Sequence, residues 1–164
     1  MPALPPIALA ALGYLALGWN VIPVERGESR KPHVRWKPYQ AARVTTADVI
    51  GWWTRWPDAN CGVVTGAISG LVVLDVDGAE GDANRARFGT LPHTPRVRTR
   101  NGHHYYFRHP GVELPPWANP RDSARTDPAL RGLDFRGDGA FIVAPPSVHH
   151  SGHVYVWEVA PRGL

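Results

Sequence analysis

Gly70-Leu71-Val72-Val73-Leu74-Asp75-Val76-Asp77-Gly78 is the stretch on which the reading of this chain turns. An apolar run rich in valine and leucine, bracketed by glycines, predicts a buried strand rather than a helix. Side chains alternate along a strand, so Asp75 and Asp77 share one face while Leu74 and Val76 enter the opposite layer. Like charges held that close raise one another's pKa unless a cation intervenes. A divalent ion is the simplest partner, and an all-oxygen donor set suits magnesium or manganese better than zinc. The pair also suits an ordinary strand end opening into a solvated turn, and the stretch alone leaves both readings open.

The bulk properties narrow the setting. With 164 residues, 43% of them hydrophobic, the chain has enough apolar surface for one core and is short for two, so a single domain over 1–164 is expected. Basic residues outnumber acidic ones by 18 to 14, and all the basic ones except Lys31 and Lys37 are arginine, which favours bidentate contact with phosphate and hence a polyanionic partner. Cys61 is the only cysteine, so neither a disulfide framework nor a cysteine-based zinc site can form within the chain, and a reducing cytoplasm is expected. The apolar stretch Ile7 to Trp19 is too short to span a bilayer and follows no basic residues. Neither a signal peptide, an anchor nor a membrane partner is expected.

On the N-terminal side of the acidic strand, Pro5-Pro6 opens an alanine- and leucine-rich helix over Ile7–Leu17 that stops at Gly18. A strand over Asn20–Val24 and a polar turn over Glu25–Arg30 follow. Lys31, Arg35 and Lys37 then place three cations around Trp36, a pattern suited to a nucleic-acid or triphosphate contact through ion pairing and base stacking, or to a solvated loop whose tryptophan covers the core. Thr45 and Asp48 stand in capping-box spacing ahead of a helix running towards Arg55, with Ile50, Trp52, Trp53 and Trp56 as packing residues. Cys61–Gly66 reads as a strand forming a hairpin with the acidic strand through the Ile68-Ser69-Gly70 turn.

On the C-terminal side, Asp82–Phe88 is a short helical candidate. Arg96–Gly102 is a strand entering an Asn-Gly turn, and His103–Arg108 returns from it, with His104, Tyr106 and Arg108 on one face and His103, Tyr105 and Phe107 on the other. Pro110–Pro128 reads as a long proline-rich loop. Leu133–Arg136 and Ala140–Ala144 read as a hairpin about Gly137-Asp138-Gly139, with Asp134 and Arg136 on one face. A last hairpin brackets Ser151-Gly152, with Val154–Glu158 as its second strand. His149, His150 and His153 flank this turn and read as solvated or structural side chains.

Taken in order, Gly18-Trp-Asn-Val-Ile-Pro23, Lys31-Pro32, Trp36-Lys37, Asn60-Cys-Gly-Val63, Ser69 to Asp77, Thr99-Arg-Asn-Gly-His-His-Tyr-Tyr-Phe107, Gly132-Leu-Asp-Phe-Arg-Gly137 and Ala144-Pro-Pro-Ser-Val-His149 resemble the bifunctional primase-polymerase domain of the archaeo-eukaryotic primase superfamily. The resemblance spans nearly the whole chain. It implies an α/β (α+β) fold: an RNA-recognition-motif-like antiparallel or mixed sheet over about 67–164, with an N-terminal α/β layer over about 1–66. It also implies a DNA primase and polymerase in which Asp75, Asp77 and Asp134 hold two magnesium or manganese ions. His104 would contact the phosphates of the incoming nucleotide, with Arg136, Arg100 and His103 as further phosphate ligands. A DNA template and primer, nucleoside triphosphates and a helicase region of a longer phage or plasmid replication protein are the implied partners. The implied compartment is the cytoplasm of a bacterial or phage-infected cell, and no zinc is expected. Where many members carry a serine- or glycine-rich turn before the motif histidine, this chain has Arg100-Asn101-Gly102-His103.

Two other readings stand beside this one. A catalytically silent nucleic-acid-binding module would use the basic and aromatic residues alone. A phosphatase resembling the haloacid dehalogenase superfamily would use Asp75 and Asp77, but Ala79 follows Gly78 where that family usually has threonine, and both lysines lie upstream.

Overall fold

A computed structural model describes residues 3–114 and 127–164. The middle of the proline-rich stretch, 115–126, lies outside the described residues, and so does most of the long loop expected there. The described elements are α1 (Pro6–Ala16), β1 (Val21–Val24), α2 (Thr46–Arg55), β2 (Asn60–Val64), β3 (Leu71–Asp77), α3 (Gly78–Ala86), β4 (Arg96–Arg98), β5 (Gly102–Arg108), β6 (Leu133–Arg136), β7 (Phe141–Ala144) and β8 (Val156–Val159). This is an α+β fold with a three-stranded sheet, β1-β2-β7, and a five-stranded sheet, β6-β3-β5-β4-β8, each antiparallel throughout.

The helices form where local chemistry asks for them. Proline at the first helical position starts α1, and Gly18 at φ 85° ends it. Ile7, Ala8, Ala11 and Tyr14 recur at helical spacing and are buried. Thr45 and Asp48 close a reciprocal capping box on α2, which buries Val49 and Trp53. The Trp53 indole donates to Ala59 O at 3.0 Å, so this ring belongs to the core. No described helix is long and apolar enough to cross a membrane.

One core unites α1, α2, the three-stranded sheet and the inner face of the five-stranded sheet, where Leu71, Val73, Val97 and Tyr106 lie. The outer face carries a smaller cluster of Leu74, Val76 and Leu133, flanked by Tyr105, Phe107 and Phe135. His104 and Tyr106 are therefore buried, whereas His103, Tyr105 and Phe107 on the other face are only partly so. Tyr14 crosses the core by donating to Pro145 O at 2.7 Å and accepting from Trp157 Nε1 at 2.9 Å.

Two expected hairpins are corrected, the first of them reduced to a single antiparallel bridge between Gly66 and Leu71. β2 and β3 lie in different sheets, and so do β6 and β7. The short connections Gly66–Gly70 and Gly137–Gly139 are crossovers from one sheet to the other. They run side by side: Thr65 Oγ1 donates to Gly137 O at 2.7 Å, and Ala67 N donates to Asp138 Oδ1 at 2.8 Å. Gly66, at φ 94°, has Asp138 packed where a Cβ would stand. Turn residues that signal a hairpin equally serve a chain changing sheets, and pairing between layers is not a local property. The last hairpin shrinks to one bridge, Val148–Val154, because β8 pairs with β4 instead. The helix expected over Asp82–Phe88 begins earlier, directly after Asp77.

Asn20 joins the N-terminal segment to the rest. Its fully buried amide donates to Tyr39 O and Ala42 O, both at 2.8 Å, and its carbonyl accepts from Val44 N at 3.2 Å. Asn20→Ala leaves these backbone groups unpaired and is expected to lower stability by about 2–4 kcal/mol in a urea titration. A loss below about 0.5 kcal/mol would show that water replaces the amide.

Candidate active site

The acidic strand uses its odd positions twice. Leu71 and Val73 enter the core, and continuing the alternation brings Asp75 and then Asp77 to the same face. In the sheet register Asp75 stands opposite His104 on β5 and opposite Asp134 on β6. Three strands thus bring two carboxylates and an imidazole into one row, and Arg136 lies two residues beyond Asp134 on the same face of β6. Asp75 and His104 are buried, whereas Asp77 is exposed at the strand end.

Two carboxylates directly opposite each other on neighbouring strands repel, and Arg136 answers part of that repulsion. Its Nη2 lies 2.5 Å from Asp134 Oδ2 and 4.0 Å from Asp75 Oδ2. Asp75 Oδ1 and Asp134 Oδ1 are buried without a hydrogen-bond partner. His104 Nε2 lies 3.4 Å from Asp75 Oδ1.

Burial above all, with the Asp77 charge next, pushes the Asp75 carboxyl up to about 7, against the opposing pull of Arg136. Asp134 is raised too, chiefly by burial and against Arg136. Burial, followed by Arg136 and Arg30, drives His104 down to about 3. The imidazole is neutral at neutral pH, so its contact with Asp75 is not an ion pair.

Above this row lies a cleft with two lobes. One, of about 390 Å³, is walled by Trp36, Phe141 and Arg136. The other, of about 320 Å³, is lined by Asp77, Thr99, Arg100, Asn101 and His149. Arg30, Asp75, His104 and Tyr155 border both. A larger cavity of about 800 Å³ opens at the other end of the strands, beside Leu71 and Arg108, and holds none of the three acids.

The residues singled out from sequence distribute unevenly. Asp75, Asp77, His104, Arg136 and Arg100 line the cleft, and Asp134, which lines neither lobe, stands opposite Asp75 in the register and against Arg136. His103 is not at the cleft: it faces the opposite side of the sheet, where its Nε2 lies 3.4 Å from Glu158 Oε2, because successive residues of a strand point to opposite faces. Trp36 packs edge-on against Phe141 at 5.2 Å over the Ile22, Val24 and Val64 cluster, as the core-covering reading expects, and also lines the first lobe. Lys31, Arg35 and Lys37 are exposed and line neither lobe. Arg30, Tyr155 and His149 border the cleft without having been singled out. Tyr155 reads as an ordinary strand aromatic, His149 as a turn residue, and no sequence signal marks Arg30 apart from the lysine after it.

Among the described residues no three histidine, cysteine, aspartate or glutamate side chains form a ready metal cage. The donor set nevertheless fits a hard divalent cation, since two unbonded, buried carboxylate oxygens on adjacent strands are all-oxygen ligands without a partner.

Residues 11–164 match the family model for the bifunctional DNA primase/polymerase, N-terminal domain. No curated protein matches the chain.

Proposed function

Because the chain belongs to the bifunctional DNA primase/polymerase N-terminal family, we propose that it transfers nucleotides from nucleoside triphosphates to a 3′-hydroxyl on a DNA template in a divalent-metal-dependent reaction. The observation that carries this reading is the register aligning Asp134, Asp75 and His104 across three strands, with one oxygen of each carboxylate left unbonded.

Asp75 and Asp134, with Asp77 beyond them, would hold the cations, which when bound neutralise phosphate charge and lower the pKa of an attacking hydroxyl. The chain's own groups do the rest. Arg136 orients the Asp134 carboxylate through its 2.5 Å contact and keeps its Nε free for a phosphate oxygen. The neutral His104 ring donates one N–H and adds no positive charge to repel an arriving cation. Trp36 and Phe141 offer a base an apolar wall.

The silent-module reading leaves one buried, unbonded carboxylate oxygen on each of Asp75 and Asp134 without a purpose. The phosphatase reading lacks any observation in its favour. Primer extension and de novo primer synthesis with magnesium or manganese test the proposal. Asp134→Asn is expected to lower both activities by at least about a hundredfold. Activity equal to that of the unaltered protein would reject the catalytic assignment, and phosphate release from small esters would favour the phosphatase.

A further inference from the structure

The turn between Val24 and Pro32 ends in Arg30, whose φ of 46° makes it the one non-glycine residue with a positive φ among those described. A long side chain in the left-handed region costs about 1 kcal/mol or more and persists only where its surroundings impose it. Here they do. Arg30 N donates to Gly27 O at 3.2 Å and Glu25 N to Lys31 O at 2.9 Å, and Val24 bridges Pro32 across the turn. The resulting backbone turns the Arg30 side chain to the cleft, where it borders both lobes alongside Asp75 and His104.

Neither Arg30 nor Arg100 has a carboxylate within ion-pair distance among the described residues. Both line the 320 Å³ lobe, which receives His149 from the loop after β7 and has Asp75 and Asp77 as its only acids. Three segments far apart in sequence thus present two unpaired guanidinium groups and an imidazole to one polar recess. The other lobe is walled by tryptophan and phenylalanine. A recess with cations left uncompensated on one side and carboxylates on the other suits an anion that carries its own divalent ion.

We propose that Arg30 is a further phosphate-binding residue of this cleft, the principal cation of the lobe it shares with Arg100 and His149 and the one that meets the outer phosphates of the incoming nucleotide. This deepens the nucleotidyl-transfer reading and rests on it for the identity of the substrate, though not for the binding of the anion. Arg30 contacts the phosphates directly, while the nucleoside lies in the lobe of Trp36 and Phe141.

The test uses Arg30→Gly, which removes the charge and keeps the backbone, since glycine adopts positive φ freely, together with Arg30→Lys. Binding of inorganic tripolyphosphate and of a nucleoside monophosphate is measured by calorimetry with magnesium and no template. Arg30→Gly is expected to weaken tripolyphosphate binding about tenfold or more, to leave monophosphate binding unchanged, and to be partly rescued by Arg30→Lys. In primer extension the KM for nucleoside triphosphate should rise about tenfold with kcat within about twofold. Unaltered tripolyphosphate binding in Arg30→Gly, or an equal loss for the monophosphate, overturns the inference. Arg30-dependent tripolyphosphate binding in a protein that extends no primer upholds the subsite and sinks the polymerase reading alone.

Discussion

Asp75→Asn is expected to lower templated primer extension by at least about a thousandfold while making the metal-free protein more stable at pH 8. Both effects follow from one buried carboxylate. In the unfolded chain Asp75 titrates near the ordinary aspartate value of 3.8, and in the folded protein at about 7. The folded state therefore binds this proton more tightly, and the stability that goes with it is fully present below about pH 4 and lost as the pH rises through 7. At pH 8 the buried charge is paid for in full, and asparagine, of nearly the same shape, removes a burden on the order of 2–4 kcal/mol. Thermal melts in chelator should show the wild type losing stability between pH 4 and pH 8, with a smaller loss in the variant. Adding magnesium or manganese should raise the wild-type melting temperature more than that of the variant. A variant that melts no higher than the wild type at pH 8, or one that still extends primers, contradicts the assignment of Asp75.

Gly102→Ala is the second large effect. Gly102 pairs with Asp77 across the β3–β5 ladder, and a Cβ at this position meets the carbonyl of Val76, a backbone atom that cannot rotate away. The added methyl must part the two strands at the end where Asp77 and Arg100 sit. A loss of about 2–5 kcal/mol in urea unfolding is expected, with weakened primer extension even where the variant remains folded. Gly51→Ala is the matched control. Gly51 is exposed in the middle of α2 with nothing near its Cβ position, so the same substitution there should stabilise by about 0.5–1 kcal/mol. Equal outcomes at the two positions would remove the close approach at Gly102 as the cause.

The parts of this protein legible from sequence are those governed by neighbouring residues. The capping box at Thr45, the helix after Pro5, the Asn-Gly turn between β4 and β5 and the shared face of Asp75 and Asp77 each rest on contacts within a few positions, and each appears in the structure. The family was also legible, because its pieces recur in order along nearly the whole chain, and the match over residues 11–164 agrees. The hairpin readings at Ser69-Gly70 and at Asp138-Gly139 failed because a turn signal carries no information about which sheet the next strand joins. The resemblance implies His103 as a phosphate ligand beside His104, but the alternation of the strand, already legible in the sequence, sends it to Glu158 on the other face.

By itself, the sequence determined that two carboxylates would stand side by side at the end of a buried strand, since alternation and an apolar run require nothing distant. Only the tertiary structure decided that Asp134 and His104 flank Asp75, that Arg136 is shared between two acids, and that Arg30 borders the same cleft. Those relations depend on strand register and on a strained turn, both set by contacts between residues far apart in the chain. Burial completes the division: a carboxyl becomes hard to ionise because of what packs around it, and that surrounding exists only once the sheets have closed.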